Sequence, residues 1–280
     1  MENFKTELIN IDSIIKTKNP KLAKYLPFFV KNYIKKVIHQ DELNKLISDH
    51  NQFFGLDFIK SGLPYFETKT TIFGSENIPK TGKYIFAANH PIGSLDGVIF
   101  MHEMGKYYGE TKSIVNDLLL NVNNFKPLFV GVNKHGSTSR ENVEMLDEIF
   151  NSDLQILLFP SGFASRRIKG KIVDFEWKKT VISRAIKHKR DIVPVYIKGQ
   201  LSNFFYNLYS FRKFLGIKTN LEMFYLVDEM FRQKGKQIDF YFGKSIPYTY
   251  FDKTLSHQQW AENLKNHVYK LENDINSVFI

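Results

Sequence analysis

The sequence contains no cysteine among its 280 residues. Disulfide bonds, thiolate metal sites and cysteine nucleophiles are therefore excluded. An uncharged apolar run long enough to span a bilayer is also missing, and the N-terminus lacks the pattern of a cleavable signal peptide. These absences predict a protein that is kept in the cytoplasm, either free or lying on a membrane surface.

The signature motifs of several large enzyme classes are absent as well. The chain has no G-x-S-x-G nucleophile elbow, no G-x-x-x-x-G-K-[ST] phosphate-binding loop and no G-x-G-x-x-G dinucleotide fingerprint. Its eight histidines show no H-E-x-x-H or other close spacing of metal ligands. Nucleotide-driven, nicotinamide and zinc chemistry are therefore poorly supported, and we expect no metal site.

A surplus of positive charge marks the composition. The chain has 39 Lys and Arg against 29 Asp and Glu, which gives a formal net charge of +10 and a pI near 9.4. Such a surplus predicts an anionic partner, which could be nucleic acid, anionic lipid or a phosphorylated substrate. The aromatic residues fall mostly in apolar runs, which is typical of a core. Because no nucleic-acid-binding module is recognisable, we do not expect nucleic acid.

Residues 1–62 are predicted to form a helical segment that precedes the main domain. Pro20 begins a basic amphipathic stretch that runs to Gln40, and Pro27 is expected to split it. Its apolar residues are Leu22, Tyr25, Leu26, Phe28, Phe29, Tyr33, Ile34, Val37 and Ile38, and its lysines are Lys21, Lys24, Lys31, Lys35 and Lys36. Two interpretations are equally supported by this segment alone. It lies at an anionic membrane interface, or it packs on the main domain with its lysines in water.

Residues 63–280 alternate short apolar runs with amphipathic stretches, which is typical of one layered α/β domain. Strands are predicted at residues 70–73, 84–88, 113–115, 128–132, 156–159, 192–197 and 238–242. Helices are predicted at residues 97–108, 117–125, 138–150, 175–189, 221–232 and 255–276, the third beginning with the capping box Thr138-Ser139-Arg140-Glu141. We therefore expect a mostly parallel or mixed central sheet flanked by helices.

A histidine and an aspartate lie close together after one predicted strand. The apolar run Tyr84–Ala88 ends in Asn89-His90, and Asp96 follows after a short loop. Ligands bind at strand ends in α/β sheets, and a histidine whose tautomer is fixed by a carboxylate can deprotonate a hydroxyl or an amine. The alternative, favoured for an isolated pair, is a structural loop histidine with an aspartate that caps the next helix.

Two further loops after predicted strands could hold an anion. The loop from Gly131 to Arg140 offers backbone N–H groups and the Arg140 side chain. The turn Phe159-Pro160-Ser161-Gly162 precedes a cluster of cations that could grip a phosphate. The cluster consists of Arg166, Arg167, Lys169 and Lys171. The local sequence alone favours the alternatives, which are a plain strand-to-helix connection and a solvated surface.

The order and spacing of these segments over residues 70–199 resemble the glycerolipid acyltransferase superfamily, that of the 1-acylglycerol-3-phosphate acyltransferases. Asn89-His90 and Asp96 are similar to the family's Asn-His-(x)4-Asp block, and residues 131–140 are similar to its second block. Four blocks in order on one α/β pattern are far more specific than any one of them alone.

The remaining blocks follow in the expected order. Phe159-Pro160-Ser161-Gly162 is similar to the family's Phe-Pro-Glu-Gly block, and Val193-Pro194-Val195 resembles its fourth, proline-containing strand. The motif His-Pro-x-Gly-x-Leu-Asp-Gly is similar to that of a bacterial branch of acyltransferase or hemolysin-like proteins.

The resemblance implies an O-acyltransferase that moves a fatty acyl chain from acyl-CoA or acyl carrier protein to a hydroxyl, or an amine, of a lysolipid-type acceptor. His90 would act as the general base, oriented by Asp96, and backbone N–H groups around Gly162 would stabilise the oxyanion. The implied substrate-binding residues are Asn89, Gly131, Arg140, Ser161, Gly162, Arg166, Arg167, Lys169 and Lys171. No metal and no cofactor beyond the acyl donor is implied. The N-terminal helices would hold the enzyme peripherally on the cytoplasmic face of a bacterial inner membrane with an anionic surface.

Two departures from the family pattern concern the first and third blocks. Five residues, Pro91 to Leu95, separate His90 from Asp96, where the family has four. Pro91 and Gly93 could let this loop bulge and return Asp96 to His90. Ser161 stands in the place of a glutamate associated with acceptor binding, which bears on the acceptor more than on the chemistry. Lysophosphatidate, another lysolipid and an acylated amino acid therefore remain open as acceptors.

A function of a different class is the alternative to an enzyme. A non-catalytic basic protein that binds anionic membranes or nucleic acid would show the same charge surplus. Substitution of His90 separates the two hypotheses, because only the enzyme needs its imidazole.

Overall fold

A mixed sheet of seven strands forms the centre of the protein within the residues that the structure describes. The computed structural model describes residues 6–116, 122–132 and 140–280. The strands are β1 (Ile72–Phe73), β2 (Tyr84–Ala88), β3 (Thr111–Asn116), β4 (Phe129–Val132), β5 (Gln155–Leu158), β6 (Arg166–Ile168), β7 (Lys171–Val173), β8 (Asp191–Lys198) and β9 (Asp239–Phe242). The sheet has the order β1-β9-β8-β2-β5-β3-β4, and β6 and β7 form a separate antiparallel hairpin.

The strands from β8 to β4 in this order are parallel, whereas β9 pairs antiparallel with β8 and parallel with β1. Helices cover both faces of the sheet. They are α1 (Ile11–Lys18), α2 (Pro20–Tyr25), α3 (Phe28–Val37), α4 (Gln40–Asp49), α5 (Leu56–Gly62), α6 (Leu95–Tyr108), α7 (Arg140–Asn151), α8 (Thr180–His188), α9 (Asn203–Phe214), α10 (Leu226–Phe231) and α11 (His257–Lys270). Residues of α5, α6 and α9 pack on one face, and residues of α8 and α11 pack on the other. The predicted α/β fold with a mixed sheet is confirmed.

Strand β2 lies between β5 and β8, and its side chains enter two different cores. Phe86 and Ala88 belong to one apolar cluster, whereas Ile85 and Ala87 belong to the other. Successive residues of a strand point to opposite faces, so a strand buried on both sides needs a continuous apolar run. This is why residues 84–88 were predictable as a strand. Because β2 is the fourth of the seven strands, the residues that follow it emerge in the middle of the sheet, at the carboxyl ends of the parallel strands.

The N-terminal helices differ in how far they join the core. Ile47 of α4 and Phe58 and Ile59 of α5 are buried, whereas α3 has no buried residue. Pro27 separates α2 from α3, as predicted, because its ring cannot continue a helix. Among the described residues, no helix combines the length and the apolar character needed to cross a membrane.

Several elements differ from the sequence-based expectation. The predicted helix at residues 221–232 begins as the 3-10 helix Leu221–Tyr225 and continues as α10, and α11 ends at Lys270 instead of residue 276. The cation-rich stretch forms the β6–β7 hairpin, α9 lies in a region where no element was predicted, and α8 begins at Thr180 instead of residue 175. Most of the predicted helix at residues 117–125 and the start of the capping box, Thr138-Ser139, lie outside the described residues. A short 3-10 helix, Asn123–Phe125, occupies the end of the first of these stretches.

Candidate active site

The end of β2 brings His90 and Asp96 into contact. Nδ1 of His90 lies 3.0 Å from Oδ2 of Asp96. Asp96 is in the first turn of α6, which begins at Leu95. The Asp96 side chain is 0% exposed and that of His90 is 14% exposed, so the pair is largely shielded from water while the imidazole keeps an opening to solvent.

The carboxylate of Asp96 is held mainly by the backbone. Besides His90, it accepts hydrogen bonds from the N–H groups of Ile92 (3.0 Å), Gly93 (3.3 Å), Ser94 (3.0 Å) and Gly97 (3.0 Å). Burial acts to raise the pKa of Asp96, but attraction to His90 and the hydrogen bonds to its carboxylate hold that pKa below the ordinary value. A charged Asp96 favours the tautomer of His90 that carries its proton on Nδ1.

The five-residue spacing between His90 and Asp96 is accommodated by Gly93. This glycine has φ +80°, in the left-handed region, and a Cβ added to it would lie 2.5 Å from Cβ of Ala164. Glycine is therefore required both by the backbone conformation and by the close approach of the neighbouring loop. The resulting curl points the N–H groups of Ile92 and Gly93 at Asp96.

The His90 ring is fixed by stacking as well as by its hydrogen bond. Its centroid lies 4.0 Å from that of Phe159, with 23° between the ring planes, and Phe159 follows the neighbouring strand β5. Asp96 occupies Nδ1, and within the described parts of the chain Nε2 has no hydrogen-bond partner. In this tautomer Nε2 carries a lone pair that can accept a proton from a bound hydroxyl.

A second buried carboxylate, Asp174, holds the main chain at His90. The His90 backbone N–H donates to Oδ1 of Asp174 (3.2 Å), and the His90 carbonyl accepts from the Ser165 N–H (2.8 Å). Asp174 also accepts from the Ser165 hydroxyl (2.6 Å) and from the Trp177 indole N–H (2.8 Å). Burial raises the pKa of Asp174, and these donors offset the effect only in part. Neither Asp174 nor Ser165 was identified from the sequence.

This arrangement can be compared with known proteins. The sequence model of the family described as Acyltransferase matches residues 13–278, which is nearly the whole chain. The chain belongs to the acyltransferase family. Two relatives that bear the name of an O-acyltransferase show that this acyltransferase is an enzyme, and the alternative of a non-catalytic basic protein is set aside.

The two relatives are both named lyso-glycine lipid O-acyltransferase. The one from Bacteroides thetaiotaomicron is 46% identical over 265 residues, covering 94% of this chain and 97% of the relative. The one from Phocaeicola vulgatus is 45% identical over 265 residues, covering 94% of this chain and 95% of the relative.

A solved structure shows the same fold at lower similarity. It is that of the 1-acyl-sn-glycerophosphate acyltransferase PlsC from Thermotoga maritima, which is 17% identical with a TM-score of 0.50. The match covers 95% of this chain and 98% of the PlsC chain. At this level of identity the likeness concerns the fold alone.

The third block of the acyltransferase forms a turn whose polar groups are hydrogen-bonded to one another. The Gly162 N–H donates to the Phe159 carbonyl (2.9 Å), and the Ser161 hydroxyl donates to the Phe163 carbonyl (2.8 Å). The Gly162 N–H is therefore used within the turn, and the implied role of the backbone N–H groups around Gly162 as oxyanion donors stays a prediction. Ser161 is buried and directed into the turn, which also speaks against its predicted contact with substrate.

Asn89, which was predicted to bind substrate, instead joins two strands. Its amide Nδ2 donates to the carbonyl of Ile197 (2.9 Å) in β8, and its Oδ1 accepts from the Ile197 N–H (2.6 Å). With both ends of the amide paired and the residue 2% exposed, Asn89 has a structural role directly before His90.

Arg166 was predicted to hold an anionic substrate, but it is fully buried in the acyltransferase. Its Nε and Nη2 donate to Oε1 of Glu222 (3.3 and 3.0 Å), and its Nη1 donates to the carbonyl of Ala164 (2.6 Å). Glu222 also accepts from Arg212 (2.7 Å). The donors of Arg166 are thus used within the protein, and the residue ties the β6–β7 hairpin to the segment after α9. A count of cations in the sequence could not distinguish this role from an exposed one.

The other cations of the cluster remain open to solvent to different degrees. Arg167 is half-buried and donates to the side-chain oxygen of Asn203 (2.6 Å), whereas Lys169 and Lys171 are exposed at the tip of the hairpin. This hairpin follows β5, next to the strand that carries His90. Arg167, Lys169 and Lys171 therefore remain candidates for binding an anionic group.

The second block lies farther from His90. Gly131 is in β4, and because β5 and β3 stand between β4 and β2, three strand spacings place it about 14 Å from β2. Residues 133–139 and the Arg140 side chain lie outside the described residues, so the predicted anion site there stays a prediction.

Proposed function

We propose that this acyltransferase esterifies the free hydroxyl of a lyso-glycine lipid with a fatty acyl chain taken from acyl-CoA or acyl carrier protein. The observation that carries the proposal is the contact of His90 Nδ1 with the buried carboxylate of Asp96, which leaves Nε2 available as a base. The choice of acceptor is supported by the two relatives of that name, each of which aligns with 94% of this chain.

The proposed reaction uses His90 first as a base and then as an acid. Nε2 accepts the hydroxyl proton while the hydroxyl oxygen attacks the thioester carbonyl carbon and forms the new C–O bond. Collapse of the tetrahedral intermediate breaks the C–S bond, and the leaving sulfur takes the proton from Nε2, which restores neutral His90. Asp96 stabilises the transient imidazolium and keeps the ring oriented.

The third block also supports an acceptor other than lysophosphatidate. Ser161 replaces a glutamate of the resembled family, and its hydroxyl is used inside its own turn. A glycine whose amine is acylated presents a carboxylate. Arg167, Lys169 and Lys171 are suited to pair with that carboxylate or with the phosphates of the donor.

We further propose that the enzyme works as a peripheral protein on the anionic, cytoplasmic face of a bacterial inner membrane. In the N-terminal segment, Tyr25, Phe28 and Phe29 are 75%, 77% and 63% exposed, and they lie between Lys24 and Lys31. Aromatic and basic residues in this combination are typical of helices that lie in a membrane interface. A lipid acceptor would then be reached without leaving the bilayer surface.

The test is an assay of the purified full chain with two acceptors and two donors. Lyso-glycine lipid and lysophosphatidate are each offered with acyl-CoA and with acyl carrier protein, and products are identified by mass spectrometry. We expect the O-acylated glycine lipid as the main product. His90→Ala is expected to lower kcat by about 10²- to 10⁴-fold, since a positioned base contributes that much.

A matched control is His257→Ala, because His257 is an exposed histidine at the start of α11 and should leave the rate unchanged. Acyl transfer at the normal rate by His90→Ala would overturn the mechanism. A product formed from lysophosphatidate only would overturn the acceptor and leave acyl transfer standing.

A further inference from the structure

Helix α9 exposes an apolar stripe to solvent. Phe204, Phe211 and Leu215, which follow the spacing of one helical face, are 48%, 60% and 51% exposed, and Phe214 beside them is 86% exposed. The opposite face is buried and carries Phe205. The solvent-facing side of a helix on the surface of a globular protein normally carries polar and charged residues. Packing within this chain therefore does not explain the apolar stripe.

The apolar surface continues past the end of α9. Ile217, Leu221 and Phe224 are 38%, 37% and 56% exposed, the last two in the 3-10 helix Leu221–Tyr225. Large apolar side chains that are exposed together over neighbouring segments are uncommon in a monomeric protein in water and mark an interaction surface.

This patch is joined to the exposed aromatic residues of the N-terminal helices. The Tyr33 hydroxyl of α3 lies 2.7 Å from the Tyr225 hydroxyl, and the Tyr225 ring packs edge-on against Phe204 with centroids 4.9 Å apart. Phe28 and Phe29 belong to the same helix as Tyr33. The two patches therefore meet and form one surface from two separate parts of the sequence.

The charge of this surface indicates which kind of partner it binds. Residues 19–40 and 203–221 contain no aspartate or glutamate. Exposed lysines accompany the aromatic residues, namely Lys21, Lys24, Lys36, Lys213 and Lys218. A second copy of the chain would bring these lysines against each other, whereas an anionic bilayer attracts them and accepts the aromatic side chains in its interface.

We infer that α9 and residues 215–224 form a second membrane-binding element, which acts with α2 and α3 as one surface for a bilayer of anionic phospholipid. The choice of a bilayer rests on the proposed action on a membrane lipid, but the docking itself needs no acyl transfer. The buried face of α9 connects this surface to the active site. The guanidinium of Arg166 lies 4.7 Å from the Phe205 ring centroid, and Ser165 next to it holds the main chain of His90.

The absence of cysteine allows a direct test by site-specific labelling of the full chain. Phe214→Cys is labelled with an environment-sensitive fluorophore and mixed with vesicles of phosphatidylglycerol and phosphatidylethanolamine. We expect a blue-shifted emission, weaker with phosphatidylcholine alone and weakened by salt. Met145→Cys on α7, where Met145 is 39% exposed, is the matched control and should show no shift. No shift at residue 214 with the anionic vesicles would overturn the inference.

A second measurement uses flotation with the same vesicles and no acyl donor. The variant Phe211→Gln/Phe214→Gln/Leu215→Gln is expected to bind about 10- to 100-fold more weakly, because three apolar side chains no longer enter the interface. The control Val143→Gln/Met145→Gln should bind like the unchanged protein. Equal binding of the two variants would contradict the inference.

Two further outcomes separate this inference from others. If wild-type protein sediments as a dimer that the α9 variant dissociates, the surface is an interface between copies, and the inference is wrong. If vesicle binding falls as expected but no acyl transfer is found with any acceptor, the proposed function fails and the membrane surface stands. Thermal unfolding of each variant checks that it is folded.

Discussion

Two buried carboxylates hold His90, and they do so through different atoms. Asp96 contacts the imidazole ring, whereas Asp174 accepts the backbone N–H of the same residue. Both are fully buried. Yet the pKa of Asp96 is lowered and that of Asp174 is raised.

The difference lies in what surrounds each carboxylate, since burial acts to raise both pKa values. Asp96 lies in the first turn of α6, where backbone N–H groups and the helix dipole favour negative charge. Asp174 lies outside any helix and receives two of its hydrogen bonds from the side chains of Ser165 and Trp177. The backbone around Asp96 thus maintains the negative charge next to the His90 ring, which the proposed mechanism needs, whereas Asp174 holds the main chain.

The substitution with the largest expected effect is Asp96→Asn. The amide cannot stabilise an imidazolium and directs an NH2 group at backbone donors, so we expect kcat to fall by roughly 10³- to 10⁴-fold, as for the equivalent change in a serine protease triad. Steady-state kinetics of the purified variant measure this. Circular dichroism must show a folded chain, and an activity within tenfold of normal would contradict a role for the Asp96 charge.

A third buried carboxylate, that of Glu222, differs from both because two arginine side chains neutralise its charge. Glu222→Gln leaves Arg166 and Arg212 without their counter-charge, and loss of one partner of a buried pair costs about 3–5 kcal/mol of folding free energy. Urea unfolding measures the loss. Glu67→Gln breaks the exposed pair with Lys234 and is the matched control, expected to change stability by less than about 1 kcal/mol. Equal effects of the two variants would show that the buried cluster is not structural.

Asp174→Asn should affect activity less than Asp96→Asn. The amide oxygen still accepts hydrogen bonds while the ring contact of His90 is untouched, so we expect kcat to fall by about 3- to 10-fold through a shifted His90 main chain. Ser165→Ala, which removes one donor to the same carboxylate, should show a decrease of the same order. A loss as large as that of Asp96→Asn would mean that Asp174 contributes its charge to the reaction.

The smallest expected effect is on the pH dependence of stability, and its sign differs between the two sites. Asp96, whose pKa lies below the unfolded value of 3.8, stabilises the fold above pH 3.8, and this contribution is lost as the pH falls through the folded pKa. Asp174, whose pKa lies above 3.8, contributes stability below that pH, which is lost as the pH rises through its folded pKa.

Urea unfolding across a pH series tests this contrast. Asp96→Asn should flatten the loss of stability in acid, and Asp174→Asn should flatten the loss on raising the pH above 3.8. Slopes that change in the same direction in both variants would contradict the opposite pKa shifts.

The parts of the fold that were predictable from the sequence are those encoded locally. The continuous apolar run of residues 84–88 indicated a strand buried on both faces, and Pro27 indicated a break between helices. The short distance between His90 and Asp96 along the chain made their contact foreseeable. In each case the physical cause acts within a few residues.

The parts that were missed depend on contacts between distant residues. Asp174 lies 84 residues from His90, in a stretch without a motif, and Glu222 lies 56 residues from Arg166. The charge of Arg166 favoured a solvated or substrate-binding position, because a sequence does not show that a carboxylate elsewhere will neutralise it. Helix α9 was not predicted, since its apolar residues lie on both faces and obscure the usual amphipathic pattern.

The amide of Asn89 has a consequence for how the chain finds its correct pairing. Ala88 is the last residue of β2 to pair with β8, opposite Val195, and one residue later a side chain replaces the backbone as the partner of Ile197. If β2 slipped by one position against β8, this amide would face no matching carbonyl and N–H, and an apolar interior would surround it unpaired. A misaligned chain would thus be disfavoured at the residue directly before His90, so the pairing that fixes the strand register also fixes the position of His90.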